Sequence, residues 1–254
     1  MLTAITRPPS TRLPECELSH MERQPIDVTA ARAQHAAYRA ALAAAGAEVI
    51  CLPRLDDLPD ATFVEDTAIV LDTVAVMAEM GAPSRRRESA EIAGTLARWR
   101  SVRTLATPAT LDGGDVLHLG HTLYVGETPR TNAEAHAQLS ALVEPLGYTV
   151  VSVPVTACLH LKSACAALSD ETVLVNPEWV EPAVFTGAKV IAIAPAEQWG
   201  ANAVRVGETI ILPASAPGTR DKVSASGFRT VLVDVSEFQK AEAGVSCLSL
   251  LIDV

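Results

Sequence analysis

Short apolar runs recur along the chain, and from residue 63 onward they come in pairs separated by a polar turn. Phe63–Leu71 and Val74–Met80 flank Asp72-Thr73, the pattern of a β-hairpin. A helical stretch follows, with Ile92, Leu96 and Trp99 on one face and Ser84 placed to cap it; Val102–Leu105 closes the block as a strand. The order strand, strand, helix, strand then repeats. Asp112–Leu119 and Thr122–Val125 flank Gly120-His121, and Thr131 with Glu134 has the spacing of a capping box. Leu139, Leu142, Val143 and Leu146 form the apolar stripe of the next helix, Gly147 ends it, and Tyr148–Val153 is the closing strand. A fourth block runs from His160 through Thr172–Val175, a short helix opened by Asn176-Pro177, and Lys189–Ile193. The fifth runs from Ala201–Val206 through Thr209–Leu212, a helix over Thr219–Gly227, and Thr230–Val235.

The two ends of the sequence supply what one more block needs. Val245–Ile252 reads as an opening strand with no helix after it. Residues 3–7, a helix over 28–45 capped by Asp27 and ended by Gly46, and the strand Glu48–Leu52 are the complementary remainder. Pairing the C-terminal strand with residues 3–7 makes five units in a ring, an α/β propeller of a single domain spanning 1–254. An open α/β sheet would need mainly single strands between helices, and here they come in pairs.

Composition narrows the class of function. Apolar residues make up 49% of 254, enough for a substantial core, and no uncharged stretch approaches the length of a membrane helix. The N-terminus lacks a basic region followed by an apolar core, so no secretory signal is expected. Cys16, Cys51, Cys158, Cys165 and Cys247 show no paired spacing, which suggests reduced thiols in a cytoplasm. The net charge of −10 argues against nucleic acid or an anionic membrane as a partner. Pairing as a homodimer is left open.

Superimposing the blocks brings their polar exceptions to one place. The first strand of each unit opens with Glu65-Asp66, Asp112-Gly113-Gly114-Asp115, His160, Asn202 or Cys247, each interrupting an apolar run. In a ring those ends converge on the axis. Arg85, Arg130 and Arg220 each stand at the start of the helix after the second strand, where a cation is electrostatically unfavourable. Taken singly, each has an ordinary explanation: a core thiol, a hydrogen-bonded histidine, turn carboxylates, a solvated arginine run. Their recurrence at one position of a repeat is what points to chemistry. A cysteine becomes a candidate nucleophile when a histidine and a carboxylate can reach it.

The stretches Phe63-Val64-Glu65-Asp66-Thr67, Leu111 to Leu117, Leu159-His160-Leu161-Lys162-Ser163 and Val245-Ser246-Cys247-Leu248-Ser249 resemble the dimethylarginine dimethylaminohydrolase family. The likeness spans nearly the whole chain, with looser agreement from about Thr11 to Asp27. It implies the pentein fold, a five-bladed α/β propeller of the guanidine-modifying superfamily, and hydrolysis of methylated arginine to citrulline without metal or organic cofactor. By the same resemblance Cys247 is the nucleophile and His160 the general acid and base. Asp112 both holds the guanidinium and completes the triad. Glu65 and Asp66 line the guanidinium end; Asp60, Arg85 and Arg130 hold the amino-acid end, with backbone contacts near Leu18 and Ala241. An arginine deiminase is the nearest rival, disfavoured because deiminases usually carry longer insertions. A non-catalytic, partner-binding propeller is the other, and it leaves the Cys, His and carboxylates without a purpose.

Overall fold

The computed structural model describes residues 1–254 and contains five three-stranded sheets of one design. In the first, β1 (Leu2–Thr6) lies between β2 (Glu48–Cys51), parallel to it, and β15 (Leu250–Asp253), antiparallel to it. The other sheets use consecutive strands: β3 (Ala68–Val70), β4 (Val74–Met77) and β5 (Ser101–Thr104); then β6 (Val116–Leu119), β7 (Thr122–Glu127) and β8 (Thr149–Pro154). The remaining two are β9 (Cys165–Ser169), β10 (Thr172–Val175) and β11 (Lys189–Ala192), and β12 (Val204–Val206), β13 (Thr209–Pro213) and β14 (Arg229–Val233). Each middle strand meets an outer strand through a crossover; in the last four sheets it meets the inner strand through a tight turn, whereas β1 and β15 are the two ends of the chain. The crossovers are α1 (Val28–Ala44), α2 (Ser89–Leu96), α3 (Ala133–Val143) and α5 (Pro217–Ala225). The fourth sheet has only a 3-10 turn, Pro182–Val184, not the helix expected at Asn176-Pro177.

The ring follows from the packing. Five hydrophobic clusters each join one sheet to the next. Ile5, Met77 and Ile252 join the first pair, Val76 and Leu123 the second, and Tyr124 and Val173 the third. Leu174 and Ile210 join the fourth pair, and Ala4 and Ile211 the last sheet to the first. All five inner strands line an axial cavity of about 730 Å³. The expected pairing of the C-terminal strand with residues 3–7 is seen, Thr3 opposite Ile252 and Ile5 opposite Leu250.

Two local expectations differ. Asp27 does cap α1, accepting from the Thr29 and Ala30 N–H groups. Thr131, however, does not cap α3. Asn132 takes that place by accepting from Ala135 N–H, because the Thr131 hydroxyl donates to buried Asp115 at 2.6 Å. Ser84 caps nothing and donates to Glu17 instead.

Each polar head expected on an inner strand sits in a turn just before it. Val64–Thr67, Gly113–Asp115 and Ser246–Leu248 are single 3-10 turns, and α4 (Leu161–Ala164) follows His160. The turns lift these side chains off the sheet face and aim them at one end of the axis.

Ile5 is fully buried between the first two sheets, beside the closing strand pair. Ile5→Ala should cost about 2–5 kcal/mol by lost burial and cavity formation. Exposed Val190→Ala should change stability by less than about 0.5 kcal/mol. Urea midpoints at constant slope measure both.

Candidate active site

Cys247, His160, Asp66, Asp60, Arg85, Arg130 and Ala241 line one pocket, together with Glu17, Phe63, Leu159, Glu242 and Ala243. Its free volume is only about 10 Å³, the space of one water. The segment around Leu18, a cover on one side, reaches the pocket through Glu17, whereas Leu18 itself does not line it and packs on the neighbouring core. Asp60 accepts from Glu17 N–H at 3.2 Å with both oxygens, and Glu242 accepts from the N–H groups of Ser19, His20 and Met21.

Asp112 is fully buried behind His160 and does not line the pocket. Its Oδ2 lies 3.0 Å from His160 Nε2 and 3.2 Å from Arg130 Nη1, and its Oδ1 accepts from Gly81 N–H at 2.8 Å. The triad half of its expected role fits this geometry. The guanidinium-holding half does not, since His160 and Arg130 stand between this carboxylate and the pocket. The other ring nitrogen of His160 faces Asp66 at 3.7 Å. This approach explains the Gly113-Gly114 pair. A Cβ at Gly114 would meet Asp66 Oδ1 at 2.5 Å and His160 Nδ1 at 2.7 Å, and one at Gly113 would meet the Glu65 carbonyl at 2.3 Å.

Glu65 also departs from expectation. Its carboxylate points to the axial cavity, where it takes Lys162 Nζ at 2.8 Å and the Ser246 hydroxyl at 2.7 Å. Asn202 completes this plug, donating to Ser246 Oγ and the Lys162 carbonyl and accepting from Ser246 N–H. Four sheets thus tie down the turn that carries Cys247. Glu65 is beneath the nucleophile, not beside the substrate space, which leaves Asp66 as the carboxylate at that end.

The arginines divide. Arg85 is clamped by Asp66 at 2.7 Å and Glu88 at 2.9 Å, with its guanidinium 5.9 Å over the Phe63 ring. Burial pushes the Glu88 carboxyl up to about 7, even against the pull of Arg85. Arg130 is held more loosely, by Asp112 and by Ser19 Oγ at 3.4 Å. Arg220 lies away from the pocket and pairs with Asp221 on its own helix. Lys162, Glu88, Glu17 and Glu242 were missed by sequence reasoning. Lys162 alone carried a signal, a charge in the apolar run after His160.

The electrostatics follow from burial and neighbours. Burial lowers the His160 pKa, but Asp66, Asp115 and Asp112 outweigh it and raise it to about 9, so the ring is an imidazolium at neutral pH. Burial, then Glu65 and Asp66, push the Cys247 thiol far up, with Lys162 opposing weakly. A nucleophile resting as a neutral thiol among carboxylates, beside a protonated imidazole, suits a substrate that brings its own positive charge.

The chain resembles known proteins over nearly its whole length. The family model described as eukaryotic N,N dimethylarginine dimethylhydrolase matches residues 17–192. The N(G),N(G)-dimethylarginine dimethylaminohydrolase of Streptomyces coelicolor is 44% identical over 250 residues, covering 97% of this chain and 95% of that one. This chain belongs to the dimethylarginine dimethylaminohydrolase family. The family's Pseudomonas aeruginosa enzyme, solved as a cysteine-to-serine mutant with citrulline, superposes with a TM-score of 0.94 at 34% identity over 99% of this chain and 100% of that one. The N-terminal domain of ArgZ, an arginine dihydrolase from cyanobacteria, shares the fold at 19% identity, with a TM-score of 0.87 over 99% of this chain and 98% of that one. The five-bladed pentein ring expected from the resemblance is thus seen in this dimethylarginine dimethylaminohydrolase family member.

The charge states can be read directly. Alkylation of Cys247 by iodoacetamide should rise with pH through a pKa above the ordinary thiol value of about 8.5, with no inflection near 6. The His160 ring, followed by NMR, should lose its proton near 9, and Asp112→Asn should bring that value down toward about 6.5. A thiolate formed near pH 6 in the free protein would contradict this assignment.

Proposed function

We propose that the chain hydrolyses Nω-methylated L-arginine to L-citrulline and the methylated amine, residues 1–254 acting as one catalytic unit. The observation that carries this is the pocket's lining, where a thiol, an imidazolium, the carboxylates of Asp66 and Asp60 and the Arg130 guanidinium face one space. That arrangement matches a substrate with a cationic tip and an amino-acid tail.

The guanidinium displaces water and lies against Asp66, and its charge lowers the thiol pKa. Cys247 releases its proton to solvent, and the thiolate attacks the central guanidinium carbon, forming a C–S bond and a neutral tetrahedral adduct. His160, protonated at rest, gives its proton to the departing amine nitrogen as the C–N bond breaks, leaving an S-alkyl thiouronium. The neutral imidazole then takes a proton from water as the water oxygen attacks the same carbon. Collapse breaks the C–S bond, and the hydroxyl proton of the adduct passes to the departing sulfur, giving citrulline, the neutral Cys247 thiol and the His160 imidazolium. Asp112 holds His160 in orientation throughout. Arg130 leaves Asp112 for the substrate carboxylate, which compensates the charge it gives up, and Asp60 takes the α-ammonium. Ala241 and Leu18 supply backbone contacts at the same end. The five unpaired thiols support a reducing cytoplasm as the place of work.

Arginine, monomethylarginine and asymmetric dimethylarginine offered together, with products resolved by mass, test the assignment. The methylated forms should show the higher kcat/KM, and a preference for arginine would move the chain to the deiminases. Cys247→Ser should abolish turnover.

The two arginines should respond differently. Arg130→Ala should raise KM roughly ten- to a hundredfold, the value of one charge-assisted hydrogen bond, and leave turnover of a simple alkylguanidine unchanged. Arg85→Ala should instead destabilise the fold by about 3–5 kcal/mol, because it strands buried Asp66 and Glu88. Kinetics with both substrates and urea denaturation of both variants separate the outcomes.

A further inference from the structure

Glu242 has no role in the chemistry above, yet its setting is unusual. It is 4% exposed, lies on the rim of the pocket, and has φ +59°, a left-handed conformation rare for a residue with a side chain. Such an outlier persists only where surrounding contacts hold it. Here the contacts are three successive backbone N–H groups of the cover, those of Ser19, His20 and Met21, all donating to its one carboxylate. The Ser19 pair of distances is 2.9 and 3.1 Å. No cation reaches this carboxylate, so the amides alone satisfy it.

On the other side of Leu18 the arrangement repeats with a different acid, since Asp60 accepts from Glu17 N–H. Leu18 is therefore fixed between one amide held by Asp60 and three held by Glu242. Asp60 is also the residue offered to the substrate's ammonium group, so its grip on Glu17 must be shared when the pocket fills. Glu242 has no such competing duty. We infer that Glu242 is the positioning residue of the active-site cover: its carboxylate catches the N–H groups of Ser19–Met21, sets the place of the Leu18 segment beside the pocket, and thereby governs retention of the substrate's amino-acid end. The second half of this statement rests on the function proposed above; the catch itself does not.

Glu242→Gly is the informative variant, because glycine adopts φ +59° without strain and removes only the carboxylate. In the unliganded protein, amide hydrogen exchange over residues 17–21 should accelerate roughly ten- to a hundredfold, the loss of at least one charge-assisted hydrogen bond. Exchange in β9 (Cys165–Ser169) should not change, and Tm should hold or rise. Trypsin cleavage after exposed Arg23 should quicken in parallel. With asymmetric dimethylarginine, KM should rise by about the same factor while kcat shifts less than about threefold, and Glu242→Gln, which keeps one acceptor oxygen, should fall between. Unchanged exchange over 17–21, or acceleration everywhere alike, would overturn the catch. Faster exchange with unchanged KM would overturn its role in retaining substrate. If the parent protein proved inactive on every methylated arginine, the function would fail while the exchange experiment still decided the catch.

Discussion

Four carboxylates, those of Glu65, Asp66, Asp112 and Asp115, are buried within one end of the ring, and every other feature of the site accommodates them. A buried carboxylate costs several kcal/mol unless opposite charge or hydrogen-bond donors replace its water. Lys162 and Ser246 serve Glu65; Arg85 and Gly114 N–H serve Asp66; His160, Arg130 and Gly81 N–H serve Asp112. Asp115 makes no ion pair and takes three donors, the hydroxyls of Thr128 and Thr131 and Leu161 N–H, and burial raises its pKa against the pull of the His160 imidazolium. Through Leu161 it also fixes the backbone beside His160. Stability and reactivity share one cause, for the anions that demand these partners also keep the thiol protonated and the imidazole charged.

Much of this was legible in the amino-acid order. Paired apolar runs gave the five sheets, and the placement of Cys247, His160 and Asp112 at equivalent points of the repeat anticipated that His160 lies against Asp112 and shares a pocket with Cys247. What stayed hidden depends on the direction in which a side chain leaves the backbone. Glu65 and Asp66 are neighbours, and no periodicity separates them. Their 3-10 turn sends one to the axial cavity and the other to the pocket. Arg85 and Arg130 occupy matching places in the repeat, but Glu88 stands three residues after Arg85 and saturates it. Arg220 drops out because its partner is the adjacent Asp221. The left-handed backbone of Glu242 leaves no trace in a stretch reading Ala-Glu-Ala-Gly.

The pocket also shows how its charges balance one another. Arg130 rests on Asp112 and Ser19, so it neutralises a buried anion. The cover is seated on Asp60 and Glu242, and the cavity beneath it is the size of one water. The acids that hold the cover also line the pocket.

The single turns that precede the inner strands carry a consequence for accuracy. Each of Asp112, His160 and Cys247 stands three to five residues ahead of the strand it leads, and its height along the axis is set by that strand's pairing. Adjacent rungs are about 3.3 Å apart, while hydrogen-bonded catalysis tolerates displacements nearer 0.5 Å. A slip of one rung in any of the contributing sheets would carry its group out of reach and turn it to the opposite face. The reaction thus inherits a digital tolerance from the ladders: each blade is either in the one working register or contributes nothing. The pairs Val116 with Val125, Cys165 with Val175 and Leu250 with Ile5, remote from any chemistry, act as the gauge blocks against which Asp112, His160 and Cys247 are aligned.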